Sequence, residues 1–263
     1  SAYRGELLAH VLRTTQTKVA LVDARLLDGL LEVRDQLPFL AHVVVIGARE
    51  APDDGYGFQL SRYEEVVEAP VPIPAREIEP QDPAAVMFTS GTTGPSKAVL
   101  LPNAQVCLLA HQVVVNTGLS ADDVYYNAHP LHHIAGKFMG VLAIFTAGGH
   151  LMLDRKFDAE AWLATIRRVG ATVGIAHGPM IEMIHATAPT SDDRNHQLRR
   201  LMCCPLPKSI GRAFEQRFGL RGIEMWGMTE VTCPCWTSLD GGHPLGSCGK
   251  PMDEWFDVRI VDP

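Results

Sequence analysis

Short apolar runs alternate along the chain with longer segments in which apolar residues recur every three or four positions. The short runs are typical of buried strands, and the longer segments are typical of amphipathic helices. The pattern predicts strands at 18–23, 42–47, 84–90, 123–128, 149–154, 171–176, 200–204, 222–227 and 255–262. It predicts helices at 25–36, 103–117, 134–147, 158–169, 178–187 and 208–218. Asp158 is a good N-cap for one of these helices, and Gly170 is a good stop for it.

Strands that alternate with helices at this spacing predict an α/β fold in which parallel sheets are covered by helices on both faces. Residues 50–83 break the alternation, because they are rich in Pro, Asp and Glu. They are predicted to form a long connection between two α/β units. The expected division is therefore 1–80 for a first, partial α/β subdomain with its connection, 81–240 for a second, and 241–263 for the beginning of a β-rich subdomain.

Composition narrows the classes of function. The 263 residues carry 23 basic and 30 acidic side chains, a net charge of -7, and no basic stripe, so we expect no nucleic-acid partner. No apolar run is long enough to span a bilayer, and no signal peptide opens the chain. The six cysteines form no regular framework, which favours reduced thiols in a cytoplasmic protein.

The segment TSGTTGPSK, residues 89–97, has the composition of a phosphate-binding loop. Gly91 and Gly94 free the backbone to turn so that N–H groups converge on an anion, and Lys97 adds a positive charge. The loop is not a Walker loop, because Ser96 and Ala98 stand where that motif needs Gly and Ser or Thr. A polar turn between two strands is the alternative. The hydroxyl donors of the loop are Thr89, Ser90, Thr92 and Thr93.

This segment resembles the phosphate-loop signature of the adenylate-forming enzymes, which include acyl-CoA synthetases, luciferase-like ligases and peptide-synthetase adenylation domains. Further segments are similar to motifs of that family and follow in its order: PLHHIAG at 130–136, MWGMTE at 225–230 and GSCGKP at 246–251. The resemblance is greatest to acyl-CoA ligases of the crotonobetaine/carnitine-CoA ligase type. It implies that 81–240 is a nucleotide- and acyl-binding subdomain.

The resemblance also implies roles for the nucleotide site. Residues 89–97 would wrap the outer phosphates of ATP, with Lys97 among the catalytic residues. Trp226 would stack on adenine, Thr229 would donate to the α-phosphate, and Glu230 would hold Mg²⁺ as a catalytic carboxylate. The other residues implied to line the nucleotide are Cys203, Cys204, Gly227 and Met228.

For the acyl side, His133 corresponds to the histidine of the family's P-x-x-H-x-x-G segment, between the acyl pocket and the α-phosphate. The resemblance makes it both a catalytic and a substrate-binding residue. His177 and Gly178 lie where the family builds its acyl pocket, with an ordinary strand-to-helix turn as the alternative. His132 is expected to be an ordinary surface or core residue.

The implied reaction activates a carboxylic acid with ATP as acyl-AMP and transfers the acyl group to CoA. No carboxylate follows Pro130 to pair with a substrate ammonium, which favours an acyl over an aminoacyl substrate. A non-catalytic adenine-nucleotide module, a phosphotransferase, and adenylation of an amino or aryl acid without CoA transfer remain the alternatives. Fatty acid metabolism and a homodimer are compatible with this assignment.

The chain contains no Gly-Asp pair, whereas the family's ribose-binding aspartate lies in a T-G-D segment. It also lacks the family's small C-terminal domain with its catalytic lysine. We therefore expect the chain to be a fragment of a larger synthetase that forms little acyl-AMP by itself.

Overall fold

A computed structural model describes residues 3–48, 57–68, 76–89, 96–242 and 244–262. The chain divides into two compact units. The first comprises residues 1–79 and 88–100, and the second comprises residues 80–87 and 101–263. The functional division predicted from the sequence stays a prediction.

The first unit contains a three-stranded parallel sheet, in the order β1-β2-β3. Its strands are β1 (Val19–Asp23), β2 (His42–Ile46) and β3 (Gln59–Arg62). Its α-helices are α1 (Gly5–Thr14), α2 (Leu27–Leu31) and α3 (Tyr63–Glu68). Apolar side chains of β2 pack with α1 and the segment after α2, and the core formed in this way includes Ala9, Leu30, Val33, Val43, Val45 and Leu60.

Two strands, β4 (Pro83–Thr89) and β5 (Lys97–Pro102), pair in a two-stranded sheet. Thr89 is the last residue of the first strand, and Lys97 is the first residue of the second.

The second unit is built on a seven-stranded sheet. Its strands are β6 (Val124–Asn127), β7 (His150–Leu153), β8 (Val173–His177), β9 (Arg200–Cys204), β10 (Arg221–Met228), β11 (Thr232–Trp236) and β12 (Lys250–Pro251). They follow the order β12-β11-β10-β9-β8-β6-β7. The pairs from β7 to β10 are parallel, whereas β11 is antiparallel to both of its neighbours.

Helices flank this sheet. They are α4 (Asn103–Thr117), α5 (Ile134–Gly136), α6 (Ala143–Ala147), α7 (Ala159–Val169), α8 (Gly178–Ala186) and α9 (Gly211–Phe218), and a π-helical segment, Lys137–Leu142, joins α5 to α6. The predicted N-cap is confirmed, since Asp158 accepts the backbone N–H groups of Glu160 and Ala161. Gly170 ends the same helix with a φ of 65°.

None of the helices in the described part of the chain has the length and apolar character that crossing a bilayer requires.

Asp123, just before β6, ties three strands of this sheet together. Its carboxylate accepts hydrogen bonds from the hydroxyl of Thr172 at 2.6 Å, from Arg199 Nη2 at 2.9 Å and from the backbone N–H of Ser120 at 2.9 Å. Burial by itself would raise the pKa of Asp123, but the hydrogen bonds from Arg199, Thr172 and Ser120 outweigh it and hold the pKa at about 2.

The α/β class with mostly parallel sheets is confirmed, and three local predictions are wrong. The predicted helix at 25–36 is interrupted, because 3₁₀ turns flank the short α2. The predicted connection at 50–83 contains β3 and α3 in its described part. The predicted strand at 255–262 is absent, since no described strand pairs with it and Ile260 is fully exposed. The mostly parallel sheet of the second unit also carries antiparallel pairs at one edge, formed by β11 and β12.

Candidate active site

The carboxyl ends of four adjacent parallel strands carry most of the site residues predicted in the second unit. In the sheet order, β10, β9, β8 and β6 are neighbours. His177 ends β8 and is the register partner of Cys204, which ends β9. Parallel strands place their carboxyl ends on one edge of a sheet, and open α/β sheets bind ligands at that edge.

The loop that follows β6 is fastened by the fully buried amide of Asn127. Its Oδ1 accepts the backbone N–H of His129 at 2.9 Å, and its Nδ2 donates to the carbonyl oxygen of Gly136 at 2.9 Å. A Cβ at Gly136 would lie 2.3 Å from the carbonyl oxygen of Pro130, and a Cβ at Gly140 would lie 2.1 Å from Asn127 Nδ2. Only glycine permits these approaches, so the two glycines keep the loop closed.

His133 is the N-cap of α5. Its Nδ1 accepts the backbone N–H of Ala135 at 3.1 Å, so the neutral ring carries its proton on Nε2. Partial burial, with His132 as a neighbouring charge, lowers the pKa of His133. At neutral pH the ring therefore offers an Nε2–H donor to an oxygen atom without adding a positive charge.

Two further histidines surround His133, and we call His129, His133 and His177 the histidine cluster. The ring centroids of His129 and His177 are 4.3 Å apart, and those of His133 and His177 are 5.8 Å apart, both edge-on. His129 is 5% exposed, and neither of its ring nitrogens has a hydrogen-bond partner among the described residues. Burial, with smaller effects from His177 and His133, lowers the pKa of His129 to about 3. Burial and the nearby His133 lower the pKa of His177 as well.

The chain turns sharply after β10. A Cβ at Gly227 would lie 2.1 Å from the carbonyl oxygen of Thr232, so glycine is required there. Gln105 of α4 then holds the following segment by donating to the carbonyl oxygens of Thr229 at 3.2 Å and Glu230 at 3.0 Å. These contacts fix the backbone of Thr229 and Glu230 through its carbonyl groups and do not use the side chains of either residue.

A cavity of about 230 Å³ opens at this edge of the sheet. It brings together predicted residues from four segments of the second unit that are distant in sequence. The lining is His133, Ile134, Ala135, Met139, His177, Cys204, Met225, Gly227, Met228, Thr229 and Cys233.

Other predicted residues lie outside this lining. Trp226 is 46% exposed, so one of its faces is open to solvent. The side chain of Cys203 is buried in the core below the sheet, and burial raises the pKa of its thiol, whereas Cys204 lines the cavity. Gly178 is buried at the start of α8, with a Cβ position 3.3 Å from Pro205.

The phosphate loop is described only at its two ends. Thr89 is half-buried and Lys97 is exposed, in the first unit of the chain. Ser90, Gly91, Thr92, Thr93 and Gly94 lie outside the described residues. On the first unit, His10 Nε2 lies 2.9 Å from the carbonyl oxygen of Ser96, which precedes Lys97.

The donors available for a cation are few. Glu230 is exposed, and the described part of the chain contains no group of three or more His, Cys, Asp or Glu side chains that could hold a metal ion. A single exposed carboxylate suits Mg²⁺ that is shared with substrate phosphates, and it does not suit a cation held by protein ligands alone.

Sequence reasoning missed three residues that shape the site: Gln105, Asn127 and His129. An amide at the end of an apolar strand and a histidine directly before Pro130 were available signals. Their partners are carbonyl groups and rings brought close only by the fold, so the pattern along the chain did not reveal them.

Comparison with known proteins agrees with this geometry. The family profile described as "AMP-binding enzyme" matches residues 1–263. The chain belongs to this family. It is 30% identical over 269 residues to human long-chain fatty acid transport protein 5, covering 99% of the chain and 37% of that protein. It is 31% identical over 231 residues to crotonobetaine/carnitine–CoA ligase of Salmonella paratyphi B, covering 86% of the chain and 44% of that protein.

Solved structures of adenylate-forming enzymes share the fold. The crystal structure of anthranilate CoA ligase AuaEII with anthranoyl-AMP has a TM-score of 0.81 at 23% identity, covering 99% of this chain and 52% of that one. The crystal structure of ATP-bound MatB from Rhodopseudomonas palustris has a TM-score of 0.78 at 21% identity, covering 95% of this chain and 48% of that one. The chain thus spans less than half the length of the two curated relatives described above.

Proposed function

We propose that the protein carrying this chain is an ATP-dependent acid–CoA ligase that forms acyl-AMP and transfers the acyl group to CoA. The observation that supports this most is the meeting of His133, Cys204 and Thr229 around one cavity at the carboxyl edge of the sheet. Family membership supplies the adenylate chemistry, and the cavity supplies a place for the acid.

In the first step, a carboxylate oxygen attacks the α-phosphorus of ATP, the bond to the bridging oxygen breaks, and pyrophosphate leaves. His133 and Thr229 line the cavity in which the new anhydride would form, and the Nε2–H of His133 and the hydroxyl of Thr229 are the groups that would meet it. Both are neutral donors that stabilise charge on phosphate and carboxylate oxygens without a proton transfer. Lys97, with Thr89, would bind the outer phosphates, and Trp226 would stack on adenine through its exposed face.

In the second step, the CoA thiol attacks the acyl carbon, loses its proton to solvent, and displaces AMP by breaking the bond from carbon to the phosphate oxygen. Mg²⁺, when bound to Glu230 and phosphate oxygens, would offset the charge of the triphosphate. Use of CoA, a cytoplasmic location and a homodimer belong to the same proposal. Because the chain covers less than half of its curated relatives, the activity is proposed for the whole protein.

Pyrophosphate exchange tests the first step. The whole protein should incorporate labelled pyrophosphate into ATP only when a carboxylic acid is present, and thioester should appear only after CoA is added. Thr229→Val removes the hydroxyl at nearly constant size and should lower exchange about 10²–10³-fold, the usual effect of losing one donor to a developing charge. The matched control is Thr146→Val, since Thr146 is exposed and its hydroxyl donates to the carbonyl oxygen of Leu142, one turn earlier in the chain.

ATP binding without exchange for any acid would refute the ligase and favour a nucleotide-binding module. Exchange without thioester formation would support the adenylation step and refute CoA as the acceptor. An equal loss in Thr229→Val and Thr146→Val would show that Thr229 does not act on the reacting atoms.

A further inference from the structure

The cavity is small. Its volume of about 230 Å³ exceeds the ~150 Å³ of an apolar protein cavity that binds benzene. It lies below the range of about 300–1,000 Å³ that drug-sized ligands occupy. A ring with one substituent fits within this space, whereas a long fatty chain would extend beyond it.

The walls of the cavity are rich in sulfur. The sulfur-bearing residues are Met139, Cys204, Met225, Met228 and Cys233, which make up five of the eleven lining residues. Thioether sulfur makes favourable contacts with aromatic rings, and methionine adapts its shape to a flat ligand. Burial raises the pKa of the Cys204 and Cys233 thiols, so both side chains are neutral at physiological pH.

No acidic, lysine or arginine side chain is found among the described residues that line the cavity. A substrate with an ammonium group, or with a second carboxylate, would therefore bury a charge without a partner. His177, at the end of β8, is a polar side chain of the lining that the adenylation step proposed above does not use. A wholly apolar acid would cover its ring nitrogens without giving them a partner, which is costly.

Behind His177 lies His129, at 4.3 Å between ring centroids. Since His129 is buried and makes no hydrogen bond among the described residues, its contact with His177 is one of packing. It supports the edge-on orientation of the His177 ring. On this side of the cavity, the polar wall is therefore the His177 ring, which His129 contacts edge-on and which lies between His129 and the cavity.

On the basis of the function proposed above, we propose that the cavity takes a single-ring aromatic carboxylic acid with a hydroxyl or similar neutral hydrogen-bonding group, and that His177 recognises that group. The carboxylate would lie towards Thr229 and His133, and the ring would lie between the sulfur-bearing walls. His177 is then a specificity-determining residue and His129 is its positioning residue.

Acid-dependent pyrophosphate exchange by the whole protein tests this with five acids: benzoate, meta- and para-hydroxybenzoate, cyclohexanecarboxylate and hexadecanoate. We expect kcat/KM for one hydroxybenzoate to exceed that for benzoate about tenfold or more, because a site built to bond a hydroxyl discriminates against the analogue that lacks it. Benzoate should exceed cyclohexanecarboxylate, and hexadecanoate should be the poorest of the five.

His177→Phe keeps a ring of similar size but removes its hydrogen bonds. It should bring the ratio of hydroxybenzoate to benzoate close to one, mainly by lowering kcat/KM for the hydroxy acid. His177→Asn restores a donor and an acceptor and should recover part of the ratio. His111→Phe is the matched control, because His111 is exposed on α4 and does not line the cavity. Coincident unfolding curves for the variants establish that each one is folded.

The inference is overturned if hexadecanoate is the best substrate, if benzoate and the hydroxybenzoates are equal, or if His177→Phe keeps the ratio. Activity with other acids but none with the aromatic panel overturns the inference and leaves the ligase proposal standing. Absence of exchange with every acid overturns the ligase proposal itself, and this inference with it.

Discussion

Removing the imidazole of His129 should change how the stability of the second unit depends on pH. Burial lowers the pKa of His129 from 6.5 to about 3 in the folded protein. Between these values the unfolded chain binds one proton more than the folded one, so the free energy of unfolding falls as the pH falls. The slope contributed by this residue is about 1.4 kcal/mol per pH unit. From pH 8 to pH 5 the loss amounts to ~2 kcal/mol.

His129→Leu has a similar volume and does not titrate, so it should flatten the slope between pH 6 and pH 5 by about 1.2 kcal/mol per pH unit, or roughly 0.9 proton. At neutral pH the variant should be as stable as the parent or more stable, because it removes two ring nitrogens that have no hydrogen-bond partner in the described part of the chain. His133 and His177, whose pKa values are also lowered by burial, should supply most of the slope that remains.

Urea unfolding followed by tryptophan fluorescence measures the effect. All four tryptophans lie in the second unit, so the signal reports on the unit that contains the histidine cluster. Met139→Leu is the control, since it changes the same cavity without removing a titrating group and should shift the stability equally at every pH. Parallel curves for His129→Leu and the parent protein over pH 8 to 5 would refute the assignment of His129 as a buried neutral imidazole.

Three further predictions concern other parts of the chain. Lys97→Ala should weaken binding of ATP far more than binding of AMP in calorimetry, because AMP lacks the outer phosphates; an equal loss would assign Lys97 a structural role. Glu230→Gln should remove the Mg²⁺ dependence of ATP binding without changing the unfolding curve, and a full Mg²⁺ enhancement would place the cation on another carboxylate. Asp123→Asn should lower the free energy of unfolding by roughly 2–3 kcal/mol at pH 7, since it breaks the pair with Arg199, whose side chain is 41% exposed and rehydrates in part. That difference should shrink as the pH falls below about 4 and vanish only below about 2, where the carboxylate of the parent becomes protonated. The exposed neighbour variant Asp122→Asn should change stability by less than about 0.5 kcal/mol at any pH.

The strands and helices that bury one face were predictable, because burial leaves a period in the sequence. The strand at 171–176 and the helix that Asp158 caps are examples, since each is specified by residues next to one another in the chain. Where a segment depends on a distant partner, the same reasoning was wrong. The run at 255–262 has the residues of a strand, but no described strand pairs with it. The strand β11 was not predicted, because it depends on antiparallel pairing with β10. That pairing relies on the close approach of Gly227 to Thr232, which the pattern along the chain does not reveal.

The sequence by itself determined the family, because motifs such as PLHHIAG and MWGMTE are contiguous and carry their residue types in order. It also determined the class of fold, through the alternation of strands and helices. Only the tertiary structure decided which side chains share a cavity, since His177, Cys204 and Thr229 meet through strand order and register and are far apart in sequence. The volume of that cavity and the neutral state of its histidines were likewise decided by packing, because desolvation acts on a ring only when the rest of the chain surrounds it.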